Sequence, residues 1–305
     1  MTPLSQTVQI FGIPMDLGQQ RRGVDMGPSA LRYAGLQEEL TRLGYQVLDN
    51  GNLLVPQMEE VPPGHAASDL GKAFYLPEVA YICSQIYDQI TLLLQPHEIG
   101  LFLGGDHSMS IGTVAAVLSQ EKVGVLWVDA HADMNNPRTS PSGNIHGMSV
   151  ATLLGDGPTE LTDIGTKGPK MQPNQLAMIG IRNLDIEERH KLKNSGASVY
   201  TMREVDELGM SEVAHRILDY FAPFDHIHIS LDLDSCDPSI APGVGTPVNG
   251  GLSYREAHLL METLADSGKV RTVDIVEINP ILDNRNSTAK IAVELIGSLF
   301  GQRII

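Results

Sequence analysis

Eight short apolar runs recur along the chain, and longer segments with helical spacing separate most of them. The runs are VQIFGIPM, YQVLDNG, IGLFLGG, VGVLWVDA, LAMIGIR, SVYTM, IHISLDLD and VDIVEIN. Each is short for a helix, and many are apolar at successive positions instead of alternating with polar residues. Strands of this kind are buried on both faces, which is typical of a parallel sheet covered by helices. The alternation therefore predicts an α/β fold.

Two of the intervening segments show the helical pattern clearly. From Pro77 to Leu94, apolar residues fall three or four positions apart, as they do on one face of a helix. Ser253 and Glu256 have the spacing of a capping box, which predicts a helix that begins there. About eight helices are expected in all. Residues 52–76 and 155–173 are rich in proline, glycine and polar residues, and they are predicted to be surface excursions.

Periodicity alone leaves the architecture open between a doubly wound open sheet and a closed eight-fold barrel. In both architectures, ligands bind at the carboxyl ends of the strands, where loops are held by a rigid sheet. The chain shows no internal repeat, low-complexity tract or clear linker. One domain that spans residues 1–305 is therefore expected.

The composition argues against several classes of function. Asp and Glu outnumber Lys and Arg by 37 to 21, and the resulting formal net charge of −16 repels nucleic acid and anionic membranes. Cys83 and Cys236 form no C-x-x-C pair, so a reducing compartment is the default. The sequence shows neither a signal-peptide pattern nor an apolar run long enough for a membrane span. A cytoplasmic protein without a nucleic-acid or membrane partner is expected.

Polar side chains follow four of the predicted strands at the point where each strand ends. They are Asp106, His107 and Ser108 after the third run, Asp129, His131 and Asp133 after the fourth, Asp232, Asp234 and Asp237 after the seventh, and Glu277 and Asn279 after the eighth. Taken singly, each has a simple structural explanation, such as a hydrogen-bonded histidine or an aspartate that caps a turn. Because the carboxyl ends of parallel strands share one edge of a sheet, these groups are expected to meet.

These structural explanations become less convincing when the residues are considered together. Clustered carboxylates repel one another, and burial increases the free-energy cost of keeping them charged. Arg138 is the only Lys or Arg between residues 123 and 166. Divalent cations would neutralise the cluster, and an oxygen-rich set with some imidazole suits Mn²⁺, with Co²⁺, Fe²⁺, Ni²⁺ or Zn²⁺ as alternatives. Cys236, in a turn before Pro238, is interpreted as structural. Two cations that share aspartates lower the pKa of a bridging water, so the predicted chemistry is hydrolysis.

Five ordered blocks give the chain a specific resemblance. They are GGDHS, VDAHADMN, SGNIHGM, SLDLDSCDPSIAPGVGTPVNGGLSYREA and VEINP, with RRGVDMGPSALR before them and AVELIGSLFG after them. In this order they resemble the arginase and agmatinase (ureohydrolase) superfamily over nearly the whole chain. The resemblance implies a three-layer α/β fold with an open, mainly parallel eight-stranded sheet and helices on both faces. It is closest to arginase, which hydrolyses L-arginine to L-ornithine and urea.

The resemblance also implies a centre of two Mn²⁺ ions per chain. One ion would bind His107, Asp129, Asp133 and Asp232, and the other Asp129, His131, Asp232 and Asp234, so that Asp129 and Asp232 bridge the two. A bridging hydroxide would attack the guanidinium carbon. Glu277 would orient the guanidinium through paired hydrogen bonds. His146 would move protons, either to the departing amine or to regenerate the hydroxide. With the ligand Asp133, these two are the predicted catalytic residues.

The loop 135–146 favours arginine among the guanidino substrates. Arginase-like chains carry N-x-x-x-T-x-x-S-G-N-x-H here, and this chain matches that pattern. By resemblance, the substrate-binding residues are Asn135, Ser142 and Asn144 for the α-carboxylate, Asp185 for the α-amino group, and Thr246 near the reacting centre. Agmatine has no carboxylate and would leave those donors unpaired.

Other interpretations stay open at this point. The runner-up is another ureohydrolase, acting on agmatine, guanidinobutyrate, guanidine or formiminoglutamate, and the Ser-Gly-Asn segment could be turn chemistry alone. Asn183 stands where many arginases have an aspartate, which leaves the details of α-amino recognition open. A metal-binding protein without catalysis is a further alternative, against which His146 and Glu277 argue. The resemblance implies a homotrimer or a homohexamer.

Overall fold

A single eight-stranded sheet lies at the centre of the computed structural model, which describes residues 6–61 and 72–303. The strands are β1 (Thr7–Ile13), β2 (Gln46–Asn52), β3 (Ile99–Gly104), β4 (Val123–Val128), β5 (Leu176–Ile181), β6 (Ser198–Thr201), β7 (His226–Asp232) and β8 (Val270–Val276). Every neighbouring pair is parallel, in the spatial order β2-β1-β3-β8-β7-β4-β5-β6. Because β2 and β6 lie at opposite edges, the sheet is open and the closed barrel is ruled out.

The described residues contain eleven α-helices, more than the eight or so expected from the sequence. They are α1 (Gly27–Tyr33), α2 (Leu36–Arg42), α3 (Leu76–Leu93), α4 (Ser110–Gln120), α5 (Ser149–Leu153), α6 (Thr159–Thr162), α7 (Ile186–Ser195), α8 (Met202–Leu208), α9 (Met210–Tyr220), α10 (Tyr254–Asp266) and α11 (Ser287–Leu299). Helices α5 and α6 have only 5 and 4 residues, too few to show a helical period in sequence. Within the described ranges, none of the helices is long and apolar enough to cross a membrane.

Side chains on the two faces of the sheet belong to two separate apolar clusters. In β1, Val8 and Ile10 join a cluster with residues of α1, α2 and α8 to α11, whereas Phe11 and Ile13 join one with residues of α3 to α7. Each fully buried side chain of this size contributes about 1.5–3 kcal/mol. Helices therefore cover both faces, and the three-layer prediction is confirmed.

The two helices with clear sequence signals form where they were expected. Helix α3 begins at Leu76, one residue before the predicted Pro77. Helix α10 follows Ser253, whose hydroxyl accepts the Glu256 backbone N–H at 3.3 Å, while the Glu256 carboxylate accepts the Ser253 N–H at 2.8 Å. This reciprocal capping satisfies two donors that the first turn would otherwise leave unpaired.

The predicted surface excursions are only partly correct. Segment 155–173 contains α6, and its Leu161 and Met171 are buried in the same cluster as α3. Apolar residues scattered among glycine and proline have no period, so their packing could not be predicted from the sequence. Of the other segment, 52–76, residues 62–71 lie outside the described part of the chain.

Candidate metal centre and substrate pocket

Polar side chains from three central strands converge at the carboxyl edge of the sheet. Around His107, three residues after the end of β3, three carboxylates approach one nitrogen atom. Its Nδ1 lies 3.1 Å from Asp129 Oδ2, 3.3 Å from Asp133 Oδ2 and 3.2 Å from Asp232 Oδ2. All four side chains are buried. The adjacency of β3, β8, β7 and β4 in the sheet produces this meeting of residues that are far apart in sequence.

A second histidine lies on the other side of Asp129. His131 Nδ1 is 3.4 Å from Asp129 Oδ1 and 3.1 Å from Asp234 Oδ2. The two histidines therefore approach different oxygens of the same carboxylate. Thr246 donates its hydroxyl to Asp234 Oδ2 at 3.0 Å, which puts the predicted loop threonine in contact with this group.

The backbone at two of these strand ends adopts a conformation that is rare outside glycine. Asp133 has φ 51° and Glu277 has φ 68°, both in the left-handed region. Such conformations cost roughly 1–3 kcal/mol each and persist only where the surroundings enforce them. The Asp133 carbonyl accepts the Ala151 N–H at 3.1 Å, and the Glu277 N–H donates to the Gly105 carbonyl at 2.8 Å. Backbone hydrogen bonds to other segments thus hold both turns.

The electrostatics of the cluster are unfavourable for the protein alone. Burial, and next the charge of Asp129, raise the pKa of Asp133 well above its ordinary value. Burial and the charge of Asp234 raise the pKa of Asp232 in the same way. Burial alone would lower the pKa of His107, but the surrounding carboxylates, Asp129 foremost, raise it to about 9. Protons or cations must therefore neutralise the cluster.

Glu277 lies beside the cluster, fully buried at the end of β8. Its Oε1 accepts the His107 backbone N–H at 2.9 Å and lies 3.1 Å from His146 Nδ1. Its Oε2 accepts a hydrogen bond from Gln19 Nε2 at 2.7 Å. Burial opposes the charge of both side chains, but their contact prevails: it lowers the pKa of Glu277 and raises the pKa of His146. The two side chains thus form a buried imidazole–carboxylate pair.

A cavity of about 210 Å³ extends from the cluster of His and Asp side chains to the polar loop, residues 135–146. The predicted site residues that line it are His131, Asp133, Asn135, Ser142, Asn144, His146, Asp185, Asp232 and Thr246. Asn183 and Glu188 line the same cavity. The structure therefore brings the predicted substrate residues, the predicted proton-transfer histidine and part of the cluster to one space.

The polar loop is ordered by its own hydrogen bonds. Asn135 Nδ2 donates to Asp185 Oδ2 at 2.7 Å, while Asp185 Oδ1 accepts the Glu188 N–H at 2.9 Å and so caps α7. Ser142 Oγ accepts the Asn144 N–H at 3.1 Å. The loop therefore contains a hydrogen-bonded turn, as the alternative interpretation expected. The side chains of Asn135, Ser142 and Asn144 nevertheless also line the cavity.

Two polar residues near the end of β7 do not join the cluster. Asp237 accepts the backbone N–H groups of Ser239 at 3.0 Å and Gly250 at 2.8 Å, so it stabilises a turn. Cys236 is buried, and burial raises the pKa of its thiol to about 12. Neither side chain belongs to the two groups of potential metal ligands, His107 with Asp129 and Asp133, and Asp129 with His131 and Asp234.

The whole chain can be compared with known proteins. A model of the arginase family matches residues 6–301. The chain belongs to the arginase family. It is 48% identical over 300 residues to the arginase of Bacillus caldovelox, with 98% of this chain and 99% of that one covered. The native structure of the Bacillus caldovelox arginase has a TM-score of 0.93 at 47% identity, and the crystal structure of the Bacillus subtilis arginase has 0.91 at 46%. Both alignments cover 98% of this chain and 100% of the other.

Membership of the arginase family implies a binuclear divalent metal centre, and the residues present fit one. His107 Nε2 lies 2.8 Å from Ser230 Oγ, whose hydroxyl can donate onward to Asp274 Oδ2 at 3.3 Å. If Ser230 accepts the Nε2 proton and a cation displaces the proton that the carboxylates hold on the imidazole, the lone pair of Nδ1 becomes available beside the three carboxylates. Within the described residues, neither His107 Nδ1 nor Asp133 Oδ2 has a hydrogen-bond partner. A cation between these atoms satisfies both.

Three residues of this arginase-family site were missed by the sequence analysis. Trp127 donates from Nε1 to Asp129 Oδ2 at 3.0 Å, and its ring stacks on His107 with the centroids 4.1 Å apart. Ser230 and Gln19 contact His107 and Glu277, as described above. A polar Ser230 inside the apolar run IHISLDLD was the one available signal. Nothing in the sequence connects Gln19 to a residue 258 positions later.

Proposed function

We propose that this protein hydrolyses L-arginine to L-ornithine and urea at a centre of two Mn²⁺ ions. One observation carries the proposal: a single cavity joins the His and Asp cluster to a loop of neutral side chains. The cluster provides the site for the reacting guanidinium. The neutral amide and hydroxyl groups at the far end suit an α-carboxylate, which they can bind through hydrogen bonds.

Two overlapping sets of ligands would hold the ions. The first is His107, Asp129, Asp133 and Asp232, and the second is Asp129, His131, Asp232 and Asp234. Four carboxylates balance the charge of two divalent cations. Mn²⁺ suits this set because it is rich in oxygen, contains two imidazoles and has no thiolate. When bound, such a pair lowers the pKa of water and so supplies a nucleophile at neutral pH.

Glu277 and His146 act on the guanidinium end of the substrate. The Glu277 carboxylate, buried and negatively charged, would accept paired hydrogen bonds from the guanidinium and fix its plane. Since burial removes competing water, this contact is worth more than it would be at the surface. His146, 3.1 Å from Glu277 Oε1, would carry a proton for the departing amine. Asp133 takes part as a ligand from the strained turn after β4.

The opposite end of the cavity would bind the amino-acid part of the substrate. Asn135, Ser142 and Asn144 are the proposed donors to the α-carboxylate, and Asp185 is the proposed acceptor for the α-amino group. Asp185 is held between the α7 N-terminus and Asn135, so its position is fixed before the substrate arrives. A guanidino compound without a carboxylate leaves these donors without their proposed partner, which disfavours it.

Urea release tests this proposal directly. The Mn²⁺-loaded protein is assayed side by side with arginine, agmatine, guanidinobutyrate and guanidine. A strong preference for arginine in kcat/KM is expected. Urea release from agmatine or guanidinobutyrate in preference to arginine would refute the assignment of the loop, and the absence of urea from every substrate would refute the hydrolysis itself.

We also propose a cytoplasmic homotrimer or homohexamer. Cys83 and Cys236 are both buried free thiols, which suits a reducing compartment. Light scattering coupled to size-exclusion chromatography measures the assembly, and a mass of three or six chains is expected. A monomer that retains full activity would contradict the proposal.

A further inference from the structure

The segment 14–22, which follows β1, contacts His146, Glu277 and Asn144 of the proposed site. Its backbone is bonded to the site on two sides, because the Gly18 N–H donates to Asp106 Oδ2 at 2.8 Å and the Gly18 carbonyl accepts the His146 N–H at 3.1 Å. A methyl group on Gly18 would lie 2.4 Å from Ser108 Oγ, so only glycine allows this close approach. The next two residues, Gln19 and Gln20, are thereby fixed in place.

Gln19 contacts the end of the cavity where the guanidinium would bind. Its side chain is buried, and its Nε2 donates to Glu277 Oε2 at 2.7 Å. Glu277 Oε1 is held separately by the His107 N–H and by His146. The amide of Gln19 thus holds the second oxygen, Oε2, and so fixes the rotation of the Glu277 carboxylate. Gly245 leaves room for the pair, since a methyl group there would lie 2.4 Å from Glu277 Oε2.

Gln20 contacts the end of the cavity where the α-carboxylate would bind. Its Nε2 donates to Asn144 Oδ1 at 2.9 Å, while Asn144 Nδ2 donates to the Gln19 carbonyl at 3.0 Å. Because the Gln19 carbonyl can only accept, it orients the Asn144 amide with Nδ2 as the donor, and Gln20 holds the amide oxygen on the other side. The Nδ2 group has two N–H bonds, so one is left for the substrate. Gln20 itself has φ 57°, a left-handed conformation that this local bonding holds.

We propose that Gln19 and Gln20 are positioning residues that set the two ends of the substrate pocket from one short segment. Gln19 holds Glu277 for the guanidinium, and Gln20 holds the Asn144 amide for the α-carboxylate. Because the two residues are adjacent, one short segment contacts both subsites. This inference rests on the proposed function, since it requires a substrate with both groups.

Two matched variants, Gln19→Met and Gln20→Met, separate the two roles. Methionine keeps an unbranched side chain of similar length and removes the amide. Gln37→Met, at an exposed position of α2, is the control for the substitution itself. The measurements are urea release from arginine and calorimetric binding of agmatine and ornithine to the Mn²⁺-loaded proteins. Agmatine has only the guanidinium end, and ornithine has only the amino-acid end.

Each variant is expected to weaken binding at one end of the substrate pocket. Gln19→Met should lower kcat/KM for arginine and the affinity for agmatine by about tenfold, as expected for one hydrogen bond to a charged group, and leave ornithine binding unchanged. Gln20→Met should raise KM for arginine and weaken ornithine binding by about tenfold, with kcat and agmatine binding unchanged. The uncharged pair Gln19→Leu and Gln20→Leu, which also removes the amide, should give the same split, and it serves if a methionine variant fails to fold.

Three results would overturn the inference or its basis. Equal weakening of agmatine and ornithine in either variant, with a lower Tm or manganese content, would mean that the segment is only structural. Unchanged arginine kinetics in both variants would mean that it positions nothing. If the wild-type protein released no urea from arginine, the proposed function would fail first, whereas an active wild type without the split would refute the positioning roles alone.

Discussion

Ser230 Oγ lies 2.8 Å from His107 Nε2, and this contact decides which nitrogen of the imidazole faces the carboxylates. Behind Ser230 is Asp274, a carboxylate that is fully buried on the same face of the sheet. Its Oδ2 atom is contacted by Ser110 at 2.6 Å, Thr113 at 2.9 Å, His228 at 3.2 Å and Ser230 at 3.3 Å. The network holds the His107 ring in place, as is typical of the residues that orient a metal-binding histidine.

Replacing Ser230 tests this network. Ser230→Ala removes the acceptor for the His107 Nε2 proton, and the affinity for Mn²⁺ should fall by about 10–100-fold. A metal titration of the apoprotein measures the change. Ser119→Ala, near the end of α4, is the matched control and should bind Mn²⁺ normally. Wild-type affinity in Ser230→Ala would show that the contact does not orient the ligand.

A single bridging carboxylate should control both ions. Asp129→Asn keeps the shape of the side chain but removes the charge that both histidines approach. The expected result is the loss of manganese loading and of urea release together, with the circular dichroism spectrum unchanged. Metal analysis by mass spectrometry checks the stoichiometry. Two ions per chain with a near-normal rate would refute the bridging assignment.

Removing the charge of Glu277 should impair the use of the substrate and leave metal binding unchanged. Glu277→Gln should lower kcat/KM for arginine by about a hundredfold, roughly 3 kcal/mol, because a buried charged contact with the guanidinium is lost. The manganese content should stay at the wild-type level, since Glu277 is not a proposed ligand. A variant with depleted manganese would assign Glu277 to the metal centre instead.

Two neighbouring residues of the polar loop should behave differently. Asn135→Ala should raise KM for arginine by about tenfold and leave agmatine binding unchanged, because it removes a donor proposed for the α-carboxylate. Arg138→Ala should change neither KM for arginine nor agmatine binding. The Arg138 side chain is 86% exposed, and its ion pair with Asp156 is long, at 3.8 Å. Steady-state kinetics measure both effects. An Arg138→Ala variant with a raised KM would give that charge a role in binding.

The sequence was informative where one periodic pattern forced a spatial arrangement. Apolar runs of strand length, each followed by Asp or His, could belong only to strands that end at a common edge. The meeting of His107, Asp129 and Asp232 follows from that argument. In the structure, Asp129 Oδ2 lies 3.1 Å and Asp232 Oδ2 lies 3.2 Å from His107 Nδ1. The capping box at Ser253 was equally local and equally reliable.

Individual contacts between distant side chains could not be predicted from the sequence. The periodic pattern does not give the order of the strands, which is set by packing across the whole domain, and only the family resemblance favoured the open sheet over the barrel. Gln19 sits in a polar segment without a periodic signal, and its contact with Glu277 exists only in the fold. Asp274 reads as one polar residue in an apolar strand. The expectation of one domain over residues 1–305 stays a prediction.

The most direct test of the account is an anomalous diffraction map, at the manganese absorption edge, from crystals of the Mn²⁺-loaded protein. Two peaks are expected, one in contact with His107 and the other with His131, with Asp129 and Asp232 between them. A single peak, or peaks away from these carboxylates, would contradict it.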